Sequence, residues 1–113
     1  MDIRTNKDVE LLVNTFYSKV VEDDILAPFF KNLDFNIHMP KMISFWAFVL
    51  LDEAGYKTDV TEKHMKMRLK KEHFDQWLLL FNETVDTLFK GEKAELAKQR
   101  AFLVGWTIQS KMK

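Results

Sequence analysis

Residues that turn or break the chain are scarce in this sequence. It has three glycines and two prolines among 113 residues, and a protein built from many strands and hairpins needs such residues at its turns. Apolar residues recur instead at the i, i+3, i+4 and i+7 spacing of one helix face. The clearest example is the set Phe74, Trp77, Leu78, Phe81, Val85 and Leu88. The sequence therefore predicts an all-α protein, and its length fits one domain over residues 1–113.

The same periodicity predicts four long helices, over 7–21, 37–52, 72–90 and 92–111. A brief helical turn is predicted around APFF at 27–30, and a short helix that carries His64 from about residue 60. Thr5 and Asp8 are spaced to cap the first helix, while Pro40 is expected in the first turn of the second long helix, where its missing N–H costs little. Gly91 is expected as the C-cap of the helix over 72–90. The last helix is expected to bury Leu96, Phe102, Leu103 and Trp106.

Composition argues against several functions. Seventeen basic and seventeen acidic residues cancel, so no general binding of nucleic acid is expected. The chain has no cysteine, which excludes a disulfide scaffold, thiolate catalysis and zinc fingers. No apolar run of membrane-spanning length and no signal peptide is visible, so a cytoplasmic protein with no membrane partner is expected. No standard catalytic motif occurs.

Aromatic residues are abundant, with ten Phe, three Trp and two Tyr. Because each aromatic side chain buries a large area, the core can surround something flat and apolar as well as itself. Four predicted apolar faces nevertheless carry a polar atom, on Tyr17, His38, His64 and Trp77. Each has an ordinary alternative. Tyr17 can keep its hydroxyl at the rim of the core, and His38 can be a solvated residue near a helix start. His64 can be a buried histidine with a hydrogen bond, and Trp77 can be a core residue.

His64 carries the most information of these four. It lies between Val60 and Met67 on one helix face, and a buried imidazole needs a metal or a hydrogen-bonding neighbour. Histidines without local carboxylate ligands do not resemble a zinc site. A single imidazole in an apolar, aromatic, helical protein fits haem ligation better. His73, at the predicted start of another helix, is expected to be a surface or capping residue.

An ordered set of short segments resembles group III of the truncated haemoglobins, which are found mostly in bacteria. The matching segments are FYSKV at 16–20, APFF at 27–30, His38 seven residues before FWAFVLL at 45–51, KHM at 63–65 and EHFDQWLLLF at 72–81. The resemblance implies a shortened globin fold in which two helix pairs sandwich one haem.

The resemblance also implies a role for each candidate site residue. His64 corresponds to the proximal iron ligand, Tyr17 to the distal tyrosine, His38 to the distal histidine and Trp77 to the distal-pocket tryptophan. Further haem contacts are expected from Phe30, its close alternative Phe29, Met42, Phe45 and Trp46. From its spacing alone, one helical turn after His64, Arg68 is expected to pair with a haem propionate, with Lys63 as its alternative.

Three functions remain open on the sequence. The first is a protein that holds haem b without covalent attachment, since no CxxCH motif exists, and binds oxygen, nitric oxide and carbon monoxide. The second is a haem enzyme, either a peroxidase or a nitric oxide dioxygenase, that works with an unidentified reductase. The third is a helical interaction module without a cofactor.

Overall fold

The computed structural model describes residues 1–30, 34–51 and 69–111. Its helices are α1 (Asn6–Val20), α2 (Ala27–Phe30), α3 (Phe35–Leu51), α4 (Lys71–Leu88) and α5 (Glu92–Lys111). These described ranges contain no strand, which confirms the all-α prediction. The predicted short helix that carries His64 lies outside them.

Helix α1 begins at the capping box that the sequence predicts. Thr5 Oγ1 accepts the N–H of Asp8 at 3.3 Å, and Asp8 Oδ2 accepts the N–H of Thr5 at 3.1 Å. These bonds pair backbone groups that a helix start otherwise leaves unsatisfied. The buried face of the helix consists of Val9, Leu12, Val13, Phe16, Tyr17 and Val20. The stripe that builds the core therefore also carries the Tyr17 hydroxyl inward.

Helix α3 begins at Phe35, earlier than predicted, because Asp34 caps it. Asp34 Oδ1 accepts the N–H of Asn36 at 3.0 Å. The expectation that Pro40 lies in the first turn is therefore wrong, and this proline lies inside the helix. Since proline has no N–H, the Asn36 carbonyl lacks its helical partner.

The inner face of α5 differs from the prediction. Phe102, Leu103 and Trp106, expected to be buried, are 55%, 47% and 60% exposed, and Leu96 is only partly buried. Small side chains occupy most of the face that points to the core, which consists of Ala94, Ala97, Ala101, Gly105 and Ile108. Small residues let helices approach closely, and α5 packs on both α4 and α3. The bulky side chains are left on the outer face.

The sequence suggests that Gly91 caps α4, but in the structure this glycine directly precedes α5. Helix α4 ends at Leu88, with Phe89 as its C-cap residue. Gly91 has a φ of +143°, which glycine adopts far more readily than other residues. A Cβ at this position would lie 2.6 Å from Asp2 Cγ. Glycine is needed here for the close approach of the N-terminal segment.

That approach lets Asp2 cap α5. Its carboxylate accepts the N–H groups of Lys93 and Ala94, each at 2.9 Å, and the N–H of Ile3 at 2.8 Å. Partial burial opposes ionisation, but these backbone hydrogen bonds outweigh it and lower the pKa of Asp2 below its usual value. A charged cap thereby joins the N-terminal segment to the start of the last helix.

The long helices are arranged as two pairs. Helices α1 and α3 pack together, α4 and α5 pack together, and contacts of α1 with α4 and of α3 with α5 join the pairs. Within the described ranges, no helix is long and apolar enough to cross a membrane.

Candidate functional site

A cavity bounded by all five helices lies among these packed pairs. It contains about 690 Å³ of space that no atom fills, open solvent at its mouth included. Most of its described wall is apolar, and half of it is aromatic. The wall includes Phe16 and Tyr17 from α1, Phe30 from α2, Met42, Phe45 and Trp46 from α3, Phe74 and Trp77 from α4, and Val104 and Gly105 from α5. Every helix thus contributes to one site.

Tyr17 brings a protonated hydroxyl to this cavity. The residue is 8% exposed, and burial raises the pKa of the phenol above its usual value. The hydroxyl therefore stays neutral and able to donate a hydrogen at physiological pH. Its oxygen lies 3.5 Å from His38 Nε2, which is at the long limit of a hydrogen bond.

His38 reaches the site through Tyr17. The two rings meet edge-on, with centroids 5.5 Å apart and planes at 90°. His38 is partly buried and is not part of the described cavity wall. The helical start at Phe35 places it in the first turn of α3, as predicted. The structure thus brings together two residues that are 21 positions apart in sequence.

Trp77 and Trp46 both line the cavity, and both indoles stack on Phe81. The Phe81 ring lies nearly parallel to both indoles, with centroids 5.7 Å from Trp77 and 4.8 Å from Trp46. Phe81 itself is fully buried. This stack fixes the two indoles, and Trp77 adds an N–H donor to the residues of the wall.

The two neighbouring phenylalanines of α2 have different surroundings. Phe30 lines the cavity and contacts Tyr17 edge-on, with ring centroids 5.8 Å apart. Phe29 is not among the described wall residues and packs instead on His73, at 4.6 Å between centroids. Of the two alternatives, the geometry places Phe30 in the cavity.

The segment before α2 is fixed to α4 by a hydrogen bond that sequence reasoning missed. Gln76 Nε2 donates to Asp23 Oδ2 at 2.6 Å, and Asp23 Oδ1 accepts the N–H groups of Ile25 and Leu26. Asp23 thereby holds the turn that presents Phe30. No sequence pattern pairs these residues, which are 53 positions apart.

His73 has two roles in the structure. Its Nδ1 accepts the N–H of Lys70 at 2.7 Å, so the expected capping role is confirmed. The ring also lines the cavity, which the sequence analysis missed. The signal was available, because His73 precedes Trp77 by one helical turn and shares its face.

His64 and Arg68 lie outside the described residues, so their roles as iron ligand and propionate partner stay predictions. Over 1–30, 34–51 and 69–111, no three His, Cys, Asp or Glu side chains come close enough to hold a metal ion. The described part of the cavity is therefore a hydrophobic wall with two polar hydrogens, on Tyr17 and Trp77, and a histidine.

Comparison with known proteins assigns this architecture to a family. The sequence model of the family described as bacterial-like globin matches residues 2–106. The chain belongs to this family. A group 3 truncated haemoglobin of Campylobacter jejuni is 30% identical over 111 residues, which covers 92% of this chain and 87% of that protein.

Further relatives agree with this assignment. The crystal structure of a group III truncated haemoglobin from Campylobacter jejuni matches this globin with a TM-score of 0.89 at 29% identity, covering 100% of this chain and 96% of the other. A group 1 truncated haemoglobin of Tetrahymena pyriformis is 36% identical over 64 residues, 56% of this chain and 53% of that protein. The resemblance to group III truncated haemoglobins and the truncated-globin fold are confirmed. These similarities support a globin-type haem-binding protein.

The cavity residues fit a haem chemically. An aromatic wall suits a flat apolar macrocycle, and dispersion contacts over such a surface add up to a large attraction. Tyr17, Trp77 and His73 supply the polar groups of a wall that is otherwise apolar.

Proposed function

We propose that this globin binds one haem b non-covalently, with His64 as the iron ligand, and that oxygen, nitric oxide and carbon monoxide bind to this haem. The observation that carries the proposal is the aromatic cavity into which Tyr17 brings a neutral, buried hydroxyl. Covalent thioether attachment is excluded, because the sequence contains no cysteine.

When bound, the haem would supply the iron centre at which diatomic ligands bind. The Tyr17 hydroxyl would donate a hydrogen to a ligand that carries partial negative charge, and the Trp77 N–H would be the second donor. Such bonds are strengthened in a cavity of low dielectric constant. Because the Tyr17–His38 contact is long, at 3.5 Å, the hydroxyl is free to turn toward a ligand.

The remaining wall residues would keep water away from the ligand. Phe30, Met42 and Trp46 are 9%, 8% and 4% exposed, and Phe45 lies edge-on to Trp46 with centroids 5.2 Å apart. An apolar wall of this kind protects the donors from competition by water. We propose that Arg68 pairs with a haem propionate at the cavity mouth.

The test is titration of the haem-free protein with hemin. We expect a Soret band that saturates at one hemin per chain, and the His64→Ala variant to lose the spectrum of proximal histidine ligation. His73→Ala is the matched control and should keep that spectrum. A titration without a Soret band would refute haem binding, and an unaffected His64→Ala spectrum would refute the assigned ligand.

A second candidate is a haem redox enzyme, either a peroxidase or a nitric oxide dioxygenase supplied by a reductase. The His38–Tyr17 pair favours it, because an imidazole beside a hydroxyl can transfer a proton to or from a bound substrate. The His38→Leu variant should then lose peroxide or nitric oxide turnover while it retains oxygen binding. Equal turnover of variant and wild type would leave oxygen binding as the function.

A further inference from the structure

We propose that His73 is a further binding residue of the cavity, and that its Nε2–H donates to a propionate carboxylate of the bound haem. This inference rests on the proposed haem binding. It assigns His73 a contact with the cofactor periphery, distinct from the iron ligation proposed for His64.

The direction of one hydrogen bond determines where the hydrogen of His73 lies. A backbone amide nitrogen can only donate, and the Lys70 N–H points to His73 Nδ1 at 2.7 Å. Nδ1 must therefore be the acceptor and carry no hydrogen. In a neutral imidazole the hydrogen then resides on Nε2.

This tautomer makes His73 a donor and excludes it as an iron ligand. A neutral histidine binds a metal through a ring nitrogen with a free lone pair. In His73, the Nδ1 lone pair is used by Lys70, and Nε2 carries the hydrogen. Coordination would require either loss of the α4 cap or an imidazolate anion. The natural acceptor for Nε2–H is an oxygen.

The position of the ring places this donor near the rim of the cavity. The His73 side chain is 14% exposed, and its Nε2 lies 3.9 Å from Glu72 Oε1, whose side chain is 69% exposed. That distance is too long for a hydrogen bond, so the Glu72 carboxylate does not use the donor. The edge-on contact with Phe29 at 4.6 Å holds the ring in place.

The haem group that suits this position is a propionate. Propionates are carboxylates, which are costly to bury and so favour the edge of an apolar site. A hydrogen bond to a carboxylate is charge-assisted and stronger than one between neutral groups.

The His73→Glu variant separates the two roles of the residue. Glutamate at this position, the third of the helix, can accept the Lys70 N–H as in a capping box, but it has no hydrogen to donate and adds a negative charge. Lys71→Gln is the matched control, because it changes the net charge equally at a neighbouring side chain that is 81% exposed. Thermal unfolding of the haem-free variants checks that both remain folded.

The decisive measurement is the rate of haem loss. It is monitored through the Soret absorbance while haem transfers to excess apomyoglobin. Each protein is loaded either with hemin or with hemin dimethyl ester, in which both carboxylates are blocked. With hemin, we expect His73→Glu to lose haem about tenfold faster than wild type, and Lys71→Gln to match wild type. With the ester, which has no negative charge and only a weaker carbonyl acceptor, the difference between His73→Glu and wild type should be much smaller than with hemin.

Each contrary result overturns the proposal for a distinct reason. Equal acceleration of hemin and ester loss would show that His73 acts by packing, and unchanged hemin loss would show that it makes no contact. Nitrogen-15 NMR of the haem-free protein should show His73 as the Nε2–H tautomer, and the Nδ1–H tautomer would overturn the argument at its first step. If the wild-type protein gives no Soret band, haem binding itself fails, which is seen before any variant is measured.

Discussion

Replacing Tyr17 with phenylalanine removes one hydroxyl from the cavity and keeps the ring. The edge-on contacts of the ring with Phe16 and Phe30, at 5.1 and 5.8 Å between centroids, are preserved. The hydroxyl lies 3.5 Å from His38 Nε2, a bond so long that its loss costs the folded protein on the order of 0–1 kcal/mol. The haem-free variant should therefore unfold in urea almost as wild type does.

The effect on a bound ligand should be much larger. A hydrogen bond to a charged acceptor contributes roughly 1.5–3 kcal/mol, and each 1.4 kcal/mol is about tenfold in a rate or an equilibrium constant. Oxygen should thus dissociate about tenfold to a hundredfold faster from Tyr17→Phe than from wild type. Carbon monoxide carries less charge when bound, so its dissociation should change less.

Stopped-flow displacement of both gases provides the assay, with Trp77→Phe and the double variant measured beside Tyr17→Phe. Trp77→Phe should also accelerate oxygen dissociation. The two effects should not add, because a remaining donor re-orients when its neighbour is removed. Equal, small changes for oxygen and carbon monoxide would mean that both residues shape the cavity by size alone, and the donor role would have to be abandoned.

Three further predictions concern stability and are read from urea unfolding of the haem-free protein. Gly91→Ala should lower the free energy of unfolding by about 2 kcal/mol or more, because φ is +143° and the new Cβ would lie 2.6 Å from Asp2 Cγ. An unchanged urea midpoint would contradict the close approach of Asp2 to Gly91. Asp2→Asn should be less stable than wild type at pH 7 and approach it at pH 3. The folded-state pKa of Asp2 is below the ordinary 3.8. Its contribution to the free energy of unfolding is therefore fully present above pH 3.8 and is lost as the pH falls through the folded-state pKa. Parallel pH profiles of stability for Asp2→Asn and wild type would contradict this. Ala97→Leu should lower the free energy of unfolding by roughly 1–3 kcal/mol, because it overpacks a fully buried site. Trp106→Ser, on the exposed face, should change it by no more than about 0.5 kcal/mol. A larger effect of Trp106→Ser than of Ala97→Leu would show that the opposite face of α5 is buried.

Helices α1 and α4 could be predicted closely because their determinants are local. Each has one apolar stripe with a high contrast to its polar face, and Thr5 and Asp8 determine the start of α1 within four residues of chain. The sequence predicts α1 over 7–21 and α4 over 72–90, against Asn6–Val20 and Lys71–Leu88 in the structure. Such patterns need no knowledge of the partner helices.

The orientation of α5 and the role of Gly91 could not be predicted, because both depend on distant residues. Hydrophobic periodicity favours Phe102 and Trp106 as the buried residues of α5, yet close packing on α4 and α3 selects the alanine face. Gly91 is required by Asp2, which lies at the other end of the chain. Local signals cannot distinguish a glycine that ends one helix from a glycine that admits a distant carboxylate.

The histidines show which part of a site sequence can predict and which part needs geometry. The resemblance implies that Tyr17 and His38 are the distal tyrosine and the distal histidine, and the structure brings the two side chains within 3.5 Å of each other. The sequence predicts His73 as a surface or capping residue, and its presence in the cavity wall follows only from the packing of α4. The residue type alone does not show whether a histidine is a metal ligand or a hydrogen-bond donor. The hydrogen-bond partner of its Nδ1 atom distinguishes the two roles. A histidine that ligates iron through Nε2 donates from Nδ1 to an acceptor, whereas His73 accepts at Nδ1 from Lys70. By the same criterion, His64 must have a carbonyl or another acceptor beside its non-coordinating nitrogen if it is the iron ligand.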